Sequence, residues 1–213
     1  MLDEQVAVNG APTTPREVLG LHRGRLRFDT LADFACAFHI GTGTVFITCD
    51  DKVIVSVRSR RQFIVGGATY HLSAAEGTLR PKDELDGEFS PFRTSVRSLE
   101  DELGLKADVD YRVNDLRCLG FLLDTLRAQP ICLFYVKSES VTAGQARQRW
   151  QTKSVDKHEN NHLVFMDWNE NAVRILLAGR IDVDGKVYEI ASNHAQAGFV
   201  LAVLHAFGEV VLG

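Results

Sequence analysis

Two β-branched runs, Thr44–Cys49 and Lys52–Val57, stand on either side of the pair Asp50-Asp51. β-Branched side chains suit an extended, pleated backbone, and an acidic pair tolerates the tight turn between two strands. The segment reads as a β-hairpin. A helix follows downstream. Ser90-Pro91 predicts a helix start, with serine at the N-cap and proline in the first turn, and Gly104 suits the position just past the end. Over Pro91–Leu103, Val96, Leu99 and Leu103 recur at helical spacing and give that helix one apolar face.

The other segments fill in the layers. A short strand falls near Tyr70–Ser73, and "LRCLGFLLDTL" and "ICLFYVKS" are strands joined around Ala128–Pro130. Thr142 to Lys157 is a polar helix or loop, "HLVFMDW" returns to strand, and His194–Phe207 is a helix with a buried stripe. "LADFACAFHI" has no clear period and fits helix or strand, while "RPKDELDGEFSP" reads as an exposed loop. Strands before, between and after a few helices predict an α/β fold with a mixed sheet. The polar start of the chain, with Gly10, Pro12 and Pro15, reads as a loose arm. It opens an appended segment, 1–40, ahead of a domain spanning 41–213.

Composition sets outer bounds. A 213-residue chain with 45% hydrophobic residues can build its core without disulfides or structural metal. A net charge of -4, with no strong lysine or arginine run, argues against nucleic acid as a partner. No apolar run reaches membrane-spanning length, and the N-terminus lacks the basic and apolar regions of a secretory signal. Cys36, Cys49, Cys118 and Cys132 are scattered in apolar sequence, which predicts buried free thiols. Together these describe a soluble, cytoplasmic protein without membrane contact.

Chemistry concentrates in "RSLEDELGL", Arg97 to Leu105. Residues three and four apart share a helix face, so Ser98, Asp101 and Glu102 are expected to point the same way. Adjacent carboxylates there can hold a hard divalent cation through oxygen ligands. Such an ion neutralises phosphate charge and activates water. On spacing alone, a solvated surface helix is the stronger reading.

Residue order shifts the balance. Arg97, Leu99, Asp101, Glu102, Gly104 and Leu105 fall where the Nudix hydrolase signature has arginine, an apolar residue, two acids, glycine and an apolar residue. Upstream, a hairpin ending in Arg58, Arg60 and Arg61 precedes "YHLSAAEG", which looks like the strand and glycine turn leading into the Nudix loop. The chain thus resembles that family from about Thr44 to Phe207. It departs at Ser98, where the family has a metal-binding glutamate, and at Asp101, a shorter acid than the usual one. The stretch between Gly77 and Arg97 is also longer than the signature. Glu88 is nearest to the loop glutamate's place, one position off, with Glu76, Asp83, Glu84 and Asp86 in the region.

The resemblance implies a Nudix-like α/β/α sandwich with a mixed β-sheet. It further implies hydrolysis of a nucleoside diphosphate linked to another moiety, dependent on Mg²⁺ or Mn²⁺. On that reading Asp101 and Glu102 bind the metal, Arg97 positions the helix acids, and Glu88 or Glu159 assists the water. Arg58, Arg60 and Arg61 grip the diphosphate, and the 1–40 segment is available for a homodimer contact. Ser98 carries the alternative, a catalytically weak or inactive Nudix-like nucleotide sensor. A distant third is a zinc peptidase through "HENNH", His158, Glu159 and His162. That chemistry needs a helix, which Asn160 and Asn161 disfavour. His22, His39, His71, His194 and His205 show no ligand spacing.

Overall fold

Alternation along the central strands decides the layers. On β3 (Gly41–Ile47), Val45 and Ile47 enter one apolar cluster and Phe46 the other. On β4 (Lys52–Arg58), Val53, Val55 and Val57 go one way and Ile54 the other. On β10 (Gln129–Lys137), Ile131, Leu133 and Tyr135 oppose Cys132, Phe134 and Val136. Strands apolar on both faces must be covered on both faces, so the sheet lies inside a three-layer stack.

The computed structural model describes residues 6–8, 11–13, 40–58, 69–77, 83–85, 88–124 and 129–208. β1 (Val6–Val8) and β2 (Ala11–Thr13) pair with each other in a separate two-stranded sheet. Among the described residues the main sheet has nine strands. Its path runs β12 (Arg180–Val183), β13 (Lys186–Ile190), β5 (Thr69–His71), β4, β3, β10 and β9 (Arg117–Asp124). β6 (Ala74–Gly77) adds to β3, and β11 (Asn160–Asp167) adds to β4. The sheet is mixed: β10 is parallel to β3 and β13 to β5, and the other pairings are antiparallel. β7 (Glu84–Leu85) and β8 (Glu88–Phe89) form a third, small sheet.

Four helices cover the sheet among the described residues. α1 (Pro91–Leu103) packs on β3 and β6, with α2 (Ala143–Lys153) beside it. The opposite face carries α3 (Glu170–Leu177) and α4 (Asn193–Phe207). The predicted hairpin, the helix over Pro91–Leu103 and the closing helix are all present. So is the α/β/α architecture with its mixed sheet. The thiols differ from expectation: Cys132 is buried, but Cys118 is exposed because β9 is an edge strand, and Cys36 lies outside the described residues.

The hairpin strands pair only at Ile47 and Val53 and then diverge. β6 takes over the start of β3, from Gly41 to Thr44, and β11 takes the other side of β4. Ser73 fills the fork. Its Oγ accepts from the Phe46 N–H at 2.8 Å and donates to the Ile54 carbonyl at 2.6 Å, while Ser56 Oγ donates to the Ser73 carbonyl at 2.6 Å. One buried hydroxyl thus replaces ladder bonds that the divergence removes. The splayed end carries β6 and Arg58, and α1 crosses beside it.

Candidate metal centre and carboxylate cluster

α1 is built to stop where it does. Its last turn closes on Gly104, which adopts φ 70°, with the Gly104 and Leu105 N–H groups returning to the Glu100 and Leu99 carbonyls. The carbonyls of Asp101 and Glu102 remain, and the chain after α2 satisfies them. Ser154 Oγ donates to both, at 2.9 and 2.8 Å. The N–H groups of Val155 and Asp156 each reach the Asp101 carbonyl at 2.9 Å. Capping the helix in this way sets Asp156 beside Asp101.

Arg97 gathers the acids. Its Nε and Nη2 form a two-pronged pair with Asp83, at 2.7 and 2.8 Å, and Nη1 lies 3.0 Å from Glu76 and 3.3 Å from Asp101. The bonds it donates to Asp83 hold the guanidinium well above the usual arginine range, with burial opposing and Glu76 adding to the rise. Asp83 is fully buried, so the predicted exposed loop is anchored here. Beyond this pair, Glu76, Asp101 and Asp156 bring one carboxylate oxygen each within 4.8 Å of one another. The donor set is all oxygen and partly exposed, and one neighbouring guanidinium offsets only part of the three negative charges. These residues fit a hard divalent cation.

Glu102 sits in a different pocket of charge. Only 1% exposed, its Oε1 accepts from the Ala75 N–H at 2.8 Å, and its Oε2 lies 3.4 Å from Arg58 Nη1. Burial pushes its carboxyl up to about 8, against the downward pull of Arg58 and the Ala75 N–H, with Glu159 adding to the rise. Arg58 is buried too. A register shift between Asn160 and His162 sets Asn160 opposite Arg58 on β11, and Arg58 Nη1 also meets Glu159 Oε2 at 3.2 Å. Glu159 sits in a short 3₁₀ turn, Lys157–Glu159, and is the more exposed acid of this group.

The predicted site residues therefore fall into two neighbouring groups. Arg97 and Asp101 stand with Glu76 and Asp156; Glu102, Arg58 and Glu159 form the buried pair and its rim. Ser98 is fully buried, its Oγ donating to the Ser95 carbonyl at 2.9 Å, and Ser95 Oγ contacts Thr44 Oγ1 at 2.7 Å. Glu88 lies in β8. Arg60 and Arg61 lie outside the described residues. In "HENNH", His158 belongs to the 3₁₀ turn and His162 to β11, where its ring stacks edge-on with Tyr188. The two histidines share no helix. Asp156 escaped the sequence reading because backbone bonds to α1, not spacing, bring it in.

No family model matches the chain. No curated protein matches it either. Among solved structures, a Nudix hydrolase from Alicyclobacillus acidocaldarius is similar with a TM-score of 0.53 at 12% identity, over 84% of this chain and 96% of that one. The chain has a Nudix-like fold. Also similar are a protein from Deinococcus radiodurans (TM-score 0.48, 11% identity, 79% and 86% of the two chains) and a Nudix-family hydrolase from Clostridium perfringens (0.46, 11%, 80% and 99%). No helix among the described residues is long and apolar enough to cross a membrane.

Proposed function

We propose that the chain is a divergent Nudix-like hydrolase of a nucleoside diphosphate linked to another moiety. The observation that carries this reading is the meeting of Glu76, Asp101 and Asp156 from three segments on a Nudix-like fold. Mg²⁺ or Mn²⁺ held there would neutralise diphosphate charge and activate a water. Asp101 is thus retained from the helix acids, and Glu76 and Asp156 stand in for the ligand that Ser98 does not supply. Arg97 is a positioning residue that orients Glu76 and Asp101 through its Nη1. Glu159, the rim carboxylate beside Arg58, is the proposed proton acceptor for the attacking water, with Glu88 a further candidate. Arg60 and Arg61 remain the proposed diphosphate contacts, guanidinium being suited to phosphate oxygens, whereas Arg58 is committed to Glu102 and Glu159.

A second reading rests on Glu102, which is turned inward onto Arg58 and the Ala75 N–H and so withdrawn from solvent. On it the chain senses the nucleotide without turnover. A panel of nucleoside diphosphate derivatives with Mg²⁺ and Mn²⁺, read for both hydrolysis and thermal shift, separates the two. Hydrolysis lowered at least tenfold by Asp156→Asn and by Glu159→Gln supports the enzyme. A metal-dependent shift without product selects the sensor, and neither signal from any member removes both.

A further inference from the structure

The two histidines that show no ligand spacing in sequence meet in space. His71 on β5 and His194 in the first turn of α4 bring their Nε2 atoms to 3.0 Å. Ser192 Oγ, at the N-cap of α4, lies 3.4 Å from the first and 3.2 Å from the second. Three donor atoms from two separate parts of the chain thus form a nearly equilateral triangle. Ligands held at about 2.0–2.1 Å around a tetrahedral ion stand roughly 3.3 Å from one another, so the triangle has the size of one face of such a site.

At His194, charge and tautomer agree with that geometry. His194 Nδ1 lies 3.3 Å from Asp124 Oδ2 at the end of β9. A carboxylate there holds the proton on Nδ1 and leaves the Nε2 lone pair aimed at the other two atoms, the arrangement that orients metal-bound imidazoles. His71, His194 and Asp124 are buried, and Ser192 is half-buried. Imidazole donors favour zinc and the neighbouring late first-row ions, whereas Mg²⁺ favours oxygen. The simpler account is a hydrogen-bonded trio in which Ser192 only caps α4 through the Ala195 N–H, at 3.3 Å. That account has one of the two Nε2 atoms carry a proton and donate to the other.

We infer that His71, His194 and Ser192 form a second metal site, for a late first-row divalent cation of the zinc class, with Asp124 as the orienting carboxylate. The ion ties the N-terminus of α4 to β5, and through Asp124 to the end of β9. It is separate in residues and in donor chemistry from the carboxylate cluster.

Cobalt(II), titrated into the metal-free full chain with excess Mg²⁺ present, tests this. One equivalent should bind with the intense visible absorption of a tetrahedral site. His71→Asn and His194→Asn should lose the band, Asp124→Asn should weaken binding about tenfold or more, and His158→Ala should change nothing. If the histidine variants fail to fold by circular dichroism, ¹⁵N chemical shifts of the wild-type rings decide. Zinc should leave His71 protonated on Nδ1, with both Nε2 nitrogens shifted to metal-bound values. No stoichiometric cobalt band, an unchanged affinity in Asp124→Asn, loss of the band in His158→Ala, or an Nε2–H proton on His71 with zinc present would overturn the assignment.

Discussion

Ser98 and Glu102 lie on the inward side of α1, one turn apart, and their burial explains much of what separates this helix from the signature it resembles. Thr44, Ser95 and Ser98 make a seam of small hydroxyls where α1 meets β3. A glutamate at 98 would have to bury a charge in that seam, so the serine is a packing residue here. Glu102 does bury a carboxyl, and the consequence is measurable. Its folded pKa of about 8 stands above the ordinary value of 4.5. The folded state therefore holds the extra proton between those values. Stability from this group is complete below about pH 4.5 and is lost as pH rises through about 8. Glu102→Gln, which keeps an acceptor for the Ala75 N–H, removes that dependence. The expected outcome in urea denaturation is near-equal stability at about pH 5 and a variant more stable by roughly 1–3 kcal/mol at about pH 9. Parallel pH profiles for the two proteins would exclude the buried acid as the cause.

At the scale of the element, the end of α1 decides whether the carboxylate cluster exists. Gly104 has φ 70°, and a Cβ there would stand 2.7 Å from the Arg149 carbonyl oxygen and 3.0 Å from the Ser154 nitrogen. Gly104→Ala meets left-handed backbone strain of about 1–3 kcal/mol and also pushes away the segment that caps α1. The expected outcome is a stability loss of about 2–3 kcal/mol together with weaker Mg²⁺ binding by isothermal titration, because Asp156 moves from Asp101. Unchanged Mg²⁺ binding in a destabilised variant would separate the cap from the cluster. The helix itself was legible in sequence because serine, proline and glycine punctuate it at both ends. The hairpin β12–β13 also has a sequence signal, Asp184-Gly185, both with positive φ, between its two strands. The sites were less legible. Asp101 and Arg97 belong to one helix, whereas Asp156 arrives through backbone bonds. His71 and His194 are 123 residues apart and meet only once β5 and α4 have packed.

For the whole molecule, the closeness of the helical layer to the sheet depends on one side chain. Leu72 is fully buried between Gly43 on β3 and Gly198 on α4. A Cβ on Gly198 would come within 2.8 and 2.9 Å of the two Leu72 methyl carbons, and one on Gly43 within 2.5 Å. α4 can approach β3 and β10 this closely only because position 198 has no side chain. Two effects compete in Gly198→Ala. Alanine favours the helix by about 1 kcal/mol, while forcing a methyl into a filled layer costs about 1–3 kcal/mol. Leu72 is fully buried and Leu133 stands 3.4 Å from the added carbon, so the leucine has little room to give way and overpacking wins. The expected net loss is about 1 kcal/mol in urea denaturation. Leu72→Ala alone should cost about 2–5 kcal/mol by leaving a cavity. In the double variant the new methyl enters the space that the leucine leaves and keeps its helix preference. The combined loss should therefore fall short of the sum of the two single losses by at least about 1 kcal/mol. Strict additivity would mean that the layers are not in contact through Leu72, and that the spacing between α4 and the sheet is set elsewhere.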